Sequence, residues 1–184
     1  HPEGGWIVEL NSETLPRVLV NNRYYAIVRK KTREKSEQEY LVDCLQSANW
    51  LVKSLQQRAQ TILKVGTEIV RQQEGFFAKG VQYLRPLTLH NIATEGGVHE
   101  STVSRVTNNK YLGTARGIYE LKYFFSGAIG QNADGISFSA ESIRFKIKNL
   151  IDAETVDNVL SDDMIVEILR KSGVEIARRT VAKY

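Results

Sequence analysis

From Glu34 to Gln73 the chain contains no proline and a single glycine, Gly66, and apolar residues recur at Leu41, Leu45, Ala48, Leu51, Leu55, Ala59, Ile62, Ile69 and Val70. Steps of three and four residues place such side chains along one face of an α-helix. One unbroken helix of roughly 40 residues would be about 60 Å long at the α-helical rise. That exceeds the usual globular helix, so the stretch is expected to act as a strut reaching between two functional surfaces. Gly75 and Gly80 interrupt the pattern and Pro86 ends it, because proline lacks an N–H and clashes with the preceding turn.

Ahead of the strut, Trp6 to Val28 alternates turn signals with short apolar runs (Trp6-Ile7-Val8, Val18-Leu19-Val20, Tyr24 to Val28), as expected of the trailing piece of another domain. The chain opens on His1-Pro2-Glu3-Gly4-Gly5 instead of Met, which fits a fragment, and it shows neither a basic leader nor an apolar run long enough to span a membrane. Cys44 is the single cysteine, placed between Val42 and Leu45 and expected on the apolar side of the helix. No internal disulfide can form, and a reducing, cytoplasmic setting is expected. With 42% hydrophobic residues in 184, one ordinary core or two or three small ones can be buried. Twenty-five Lys and Arg against 21 Asp and Glu give a net charge of +4, which favours a polyanionic partner without requiring one.

After Pro86, Thr88 is placed to cap a helix through Ile92 and Ala93, Gly97 makes a turn, and a second helix starts near His99. A helix-turn-helix needs a small residue where the helices touch, a glycine with positive φ at the turn, and apolar residues on the second helix facing back. Ala93, Gly97, Val98, Val103 and Val106 occupy those places, with Gly96 departing where an apolar residue normally packs. This leaves His99, Glu100, Ser101, Thr102, Ser104 and Arg105 at the front or outer face, where a recognition helix meets base edges and phosphates. The same spacing also fits an ordinary helical hairpin.

The stretch Ser126 to Ser137, SGAIGQNADGIS, lacks periodicity and is expected to be a flexible linker. Beyond it, Ser139 can cap a helix with Ile143, Ile147, Leu150 and Ile151 on one face. Ser161 with Asp162 and Asp163 can open a second, with Ile165, Ile168 and Leu169 inward, and a third helix, Ile176 to Tyr184, follows a turn at Gly173. Six acids lie between Asp152 and Glu167 with no base among them, whereas Arg170, Lys171, Arg178, Arg179 and Lys183 crowd the end. Gly173-Val174 leading to Thr180-Val181-Ala182-Lys183 echoes Gly97-Val98 leading to Thr102-Val103-Ser104-Arg105, two residues later in relative position. If Ile176, Thr180 and Val181 face inward, Arg178, Arg179 and Lys183 lie outward with Tyr184 at the edge. Arginine can meet guanine O6 and N7 with two parallel bonds, although a solvated basic helix end fits the same residues. Two such modules on one chain would suit paired sites on one face of a duplex, joined by effective concentration.

The terminal string ARRTVAKY, Ala177 to Tyr184, resembles the signature box of the bacterial sigma-54 family. Leu45 to Phe77, His99 to Tyr111 (HESTVSRVTNNKY) and Leu121 to Ser126 (LKYFFS) are similar to that family's long helix and central helix-turn-helix. The opening PEGGWIVELNSETLPRVLVN is similar to the end of its core-polymerase-binding domain. The resemblance implies a promoter-reading transcription initiation factor. Arg178, Arg179, Thr180, Lys183 and Tyr184 would read a minus-24 element, and His99, Glu100, Ser101, Thr102, Ser104, Arg105, Asn108 and Lys110 would sit over a minus-12 element. Its implied partners are double-stranded promoter DNA, core RNA polymerase and an AAA+ activator ATPase that drives opening. It implies a monomer in the bacterial cytoplasm, associated with the nucleoid. A fragment of this extent, without the family's glutamine-rich N-terminus, is expected to bind DNA but not to initiate transcription.

The expected fold is all-α: residues 1–35 a remnant of the polymerase-binding domain, 36–125 the extra-long helix with the central helix-turn-helix, 126–138 a linker, and 139–184 a small three-helix domain. No enzyme, metal or cofactor is expected. His1, His90 and His99 lack partners at metal-ligand spacing, the Gly127-Gly130-Gly135 run lacks the Lys-Ser/Thr of a phosphate loop, and Asp162-Asp163 suits a helix N-terminus. A protein-interaction module and an ordinary helix-turn-helix repressor are the competing functions.

Overall fold

The structure, a computed structural model of the chain, describes residues 5–131, 137–154 and 159–183. The chain forms two compact units, one of Glu9–Lys64 and one that takes the residues up to Val8 and resumes at Val65.

The Glu9–Lys64 unit holds α1 (Asn22–Lys31) and the first part of α2 (Lys35–Gln72). Asn21 starts α1 by accepting the Tyr24 N–H at 2.9 Å, and Arg29, Lys30 and Lys31 close it where positive charge favours a helix C-terminus. A helix here was not expected from Tyr24 to Val28, since five apolar-rich residues show no helical period by themselves.

The strut forms as the spacing requires, 38 residues without a break. Its apolar stripe is buried unevenly: Leu41, Leu45, Ala48, Leu55, Ala59 and Ile62 are half-buried and Leu51 is exposed, whereas Val65, Gly66, Ile69 and Val70 are buried. Cys44 is exposed, contrary to the apolar placement expected of it, because it falls beside the stripe and not within it. Gly66 keeps the helix intact and admits a neighbour, with the Val8 methyl 3.7 Å from where a Cβ would stand.

The other unit contains two hydrophobic cores. The first gathers Val65, Ile69 and Val70 of α2 and Phe76 and Phe77 of α3 (Glu74–Lys79). Leu84 and Leu87 from the segment before α4, Ile92 and Ala93 of α4 (Leu89–Gly96), Val103 of α5 (Glu100–Thr107), and Leu121 and Phe124 complete it. Phe76 sits at the centre, edge-on to Phe77, Tyr119 and Phe124 with centroids 5.2, 5.1 and 5.3 Å away. Such pairs add to what burial alone supplies. Gln73 is fully buried where α2 meets α3, donating to the Arg85 carbonyl at 2.8 Å and accepting the Arg85 N–H at 3.0 Å. The amide thereby replaces a missing backbone pair and fixes the segment that leads into α4.

The fold is mostly helical but not all-α. Directly after α5 come β1 (Tyr111–Thr114) and β2 (Gly117–Glu120), antiparallel, with Leu112 opposite Tyr119 and Ala115-Arg116 as the turn. Leu112 and Tyr119 pack on the first core while Tyr111 and Ile118 face solvent, the two-residue alternation of a strand. Arg116 ties the hairpin to the end of α3 by donating to the Phe77 and Ala78 carbonyls at 3.0 and 2.7 Å. The stretch read as a linker also carries pairing: β3 (Ala128–Gln131) runs antiparallel to β4 (Ser137–Ser139). Ile129 and Phe138 are cross-strand partners that pack on the second core, an apolar pair too sparse to register as a pattern among Gly, Ser and Asn.

That second core is Ile143 and Ile147 of α6 (Ala140–Asp152), Ile165 and Leu169 of α7 (Asp162–Lys171), Val174, and Val181 of α8 (Arg178–Val181). Ile151, expected on the inner face of α6, is exposed in its last turn. The third helix is shorter than expected, four residues in place of Ile176 to Tyr184. Ile176 packs on the core from non-helical backbone and Ala177 is extended, so the helix opens only at Arg178.

Candidate nucleic-acid interface

Each candidate surface stands on a pair of short helices joined by the same turn. In the first pair, Thr88 caps α4 by accepting the Asn91 N–H at 3.2 Å, and Gly97 ends it in the left-handed region at φ 57°. The Val98 N–H returns to the Ala93 carbonyl at 3.0 Å and the Gly97 N–H to Thr94 at 3.2 Å, closing the helix with a Schellman turn. In the second pair, Ser161 accepts the Met164 N–H at 3.4 Å, Gly173 has φ 81°, and Val174 and Gly173 return to Leu169 and Arg170 at 2.9 and 3.0 Å. The difference is length. α5 opens at Glu100, three residues past its glycine, whereas α8 opens at Arg178, five past, which is the two-residue offset visible in the sequence.

On α5, Val103 and Thr107 are buried, Thr102 and Val106 are half-buried, and Glu100, Ser101, Ser104 and Arg105 are exposed. Gly96 is itself buried against Val98, filling with backbone the place an apolar side chain would take. His99 is the N-cap of α5: its Nδ1 accepts the Ser101 N–H at 3.2 Å and meets the Ser101 hydroxyl at 2.9 Å. An accepting Nδ1 puts the proton of a neutral ring on Nε2, which stays available as an outward donor. Glu100 faces back, its carboxylate 2.8 Å from Nδ1 of His90 on α4. Asn108 caps the C-terminus of α5, and Asn109 at φ 52° turns the chain into β1, a conformation Asn tolerates better than most residues. Lys110 is half-buried at the head of the hairpin, with Nζ 3.4 Å from the Asn109 carbonyl.

The pair α4–α5 is joined to the strut through charge. Arg71 holds Glu68 with two bonds of 2.9 and 2.7 Å and reaches Glu95 of α4 at 3.3 Å. The Arg71 guanidinium, with a hydrogen bond from Gln72, keeps the Glu68 carboxyl below the usual range. Burial, followed by the nearby Glu141 carboxylate, pushes the Tyr123 phenol up.

In the second pair Arg178, Arg179 and Lys183 are exposed and Thr180 is half-buried beside the buried Val181. Tyr184 lies outside the described residues. Arg178 is not free: its guanidinium is 3.1 Å from the Asp163 carboxylate in the first turn of α7. Sequence reasoning assigned Asp163 to the helix dipole alone, and nothing in the local pattern links positions fifteen residues apart. It also missed the β1–β2 hairpin, whose strands of four residues each are too short to show a period by themselves. Among the described residues no three His, Cys, Asp or Glu gather to hold a metal, and no helix is long and apolar enough to cross a membrane.

Comparison with known proteins gives the family. Residues 38–184 match the model of the family "Sigma-54, DNA binding domain". The chain is similar to the RNA polymerase sigma-54 factor of Azorhizobium caulinodans, 59% identical over 182 residues that cover 99% of this chain and 35% of that protein. It is also similar to that of Caulobacter vibrioides, 61% identical over 182 residues, 98% of this chain and 37% of that one. It spans little more than a third of the length of these relatives. Among solved structures, Aquifex aeolicus sigmaN bound to promoter DNA is similar with a TM-score of 0.60 and 32% identity, over all of this chain and 54% of that one. By a family match that takes in nearly all of α2 and both helix pairs, the chain belongs to the sigma-54 DNA-binding domain family.

Proposed function

We propose that this chain is the promoter-reading part of a sigma-54-type initiation factor. Two helix-turn-helix modules read one two-part site. Arg178, Arg179, Thr180, Lys183 and Tyr184 meet the minus-24 element in the major groove, and His99, Glu100, Ser101, Thr102, Ser104, Arg105, Asn108 and Lys110 lie over the minus-12 element. The observation that carries this reading is the repeated Schellman-turn pair, each presenting an exposed polar or basic helix from a packed core, in a chain of this family. The solved relative bound to promoter DNA supports the same ligand.

In the whole protein the bound promoter is delivered to core RNA polymerase, and opening is driven by an AAA+ ATPase acting through regions outside this chain. The protein acts as a monomer in the bacterial cytoplasm, at the nucleoid. Residues 9–64 suit the polymerase side of this task, because Tyr24, Ile27, Tyr40, Val42, Trp50 and Leu51 are exposed apolar side chains suited to a protein partner.

The test is a salt-dependent titration of the 184-residue chain against duplexes carrying both elements, each element alone, and a scrambled sequence. Binding is expected to be tightest to the two-element duplex and intermediate to the single elements, with log K falling against log salt by about 0.9 per phosphate contacted. Equal, weak binding to all four would overturn the reading and leave protein interaction as the function.

A further inference from the structure

The two adjacent arginines of α8 differ in a way that the function proposed above does not use. Arg178 lies 3.1 Å from the Asp163 carboxylate, with both side chains 65% exposed. Arg179 carries no ion pair among the described residues, nor does Asp162, the neighbour of Asp163 in the same first turn of α7. An acid in a first turn is already stabilised by the helix N-terminus, yet Asp163 is directed at the one arginine across the turn.

We propose that Asp163 is a specificity-determining positioning residue for Arg178. The inference rests on the assignment of Arg178 to DNA. The guanidinium presents five N–H donors on a planar fork, and Asp163 engages one end of it, which restrains the fork while leaving donors for a second acceptor. The two acceptors Arg178 can meet on a duplex differ in charge. A phosphate brings a full negative charge toward the Asp163 carboxylate, whereas the guanine edge offers two neutral acceptors, O6 and N7. The carboxylate therefore penalises phosphate contact more than base contact. It also removes rotamer freedom from a side chain that must meet a base edge in one orientation. Discrimination arises as much from weakening the wrong complex as from strengthening the right one.

The experiment measures affinity of the 184-residue chain for the two-element and scrambled duplexes across a salt series. Asp163→Asn and Asp163→Ser are compared with Asp162→Asn, which makes the same charge change one residue away, and with Arg178→Ala alone and combined with Asp163→Asn. Circular dichroism checks that each variant is folded. Neutralising Asp163 is expected to raise affinity for the scrambled duplex roughly two- to fivefold, the scale of an exposed ion pair. Its salt slope should steepen by about 0.9, one added phosphate contact. The two-element duplex should gain less, so the specificity ratio falls, and the effect should vanish in the Arg178→Ala background. If Asp162→Asn does the same, or both duplexes gain equally, the effect is general charge and the proposal is overturned. If Arg178→Ala weakens the two-element complex but Asp163 variants leave the ratio unchanged, only the Asp163 role fails. If Arg178→Ala changes nothing, the assignment of Arg178 to DNA fails and this role fails with it.

Discussion

Gln73 and Arg179 show two ways a single side chain matters here. Gln73 is buried and its amide is satisfied by the backbone of Arg85, so Gln73→Ala removes the partner of a part-buried N–H and a part-buried carbonyl together. A loss of about 1 kcal/mol is expected in urea unfolding, the low end of the cost of an orphaned polar group, because water reaches part of this pair. Arg179 has no ion pair among the described residues and is exposed, so Arg179→Ala should leave circular dichroism and the urea midpoint unchanged. Its expected effect is a loss of about 1–3 kcal/mol of discrimination at the minus-24 guanines, read as the affinity ratio between promoter and base-substituted duplexes. Unchanged discrimination would remove it from the reading surface. Glu68 couples stability to pH. Its carboxyl is held below the ordinary 4.5, chiefly by Arg71, so its contribution is present above that value and is lost as pH falls through the lowered one. Glu68→Gln is therefore expected to lower the urea midpoint at about pH 7 and to narrow its gap from the native chain at about pH 3.

At the scale of elements, the positive-φ glycines set where each exposed helix begins. Gly97 and Gly173 both sit in the left-handed region, where a Cβ costs about 1–2 kcal/mol, so Gly97→Ala and Gly173→Ala should each destabilise by that amount. The two should differ in what they damage, the first lowering affinity for duplexes with only the minus-12 element and the second for those with only minus-24. The helices themselves were largely legible. Thr88, Ser139 and Ser161 cap the helices their positions suggested, each accepting the N–H three residues on. The strut runs Lys35–Gln72 where the spacing placed it. The strands were not legible: Leu112 with Tyr119 and Ile129 with Phe138 are cross-strand pairs, and each strand alone is too short to show a period.

For the whole molecule, the feature with most consequence is that the residues beyond Val65 bury two separate sets of side chains. Phe124→Ala should disrupt the first and Ile147→Ala the second, each by about 2–5 kcal/mol in the set that contains it. Affinity for single-element duplexes is expected to fall only for the element read from the damaged core; equal loss of both from either variant would contradict two independent reading modules. What the sequence determined by itself was whatever depends on neighbours within a turn or two of helix: the long strut, the capped starts, the glycine stops, and the echo of Gly97-Val98 in Gly173-Val174. The terminal string ARRTVAKY identified the family in the same local way. Tertiary structure alone decided which of those residues are occupied elsewhere. Glu100 faces His90, His99 caps α5, Arg71 bridges to Glu95, and Arg178 is held by Asp163. Backbone periodicity fixes the direction of a side chain relative to its own helix, but its charge partner is set by where a different helix ends, and that follows only once the cores have packed.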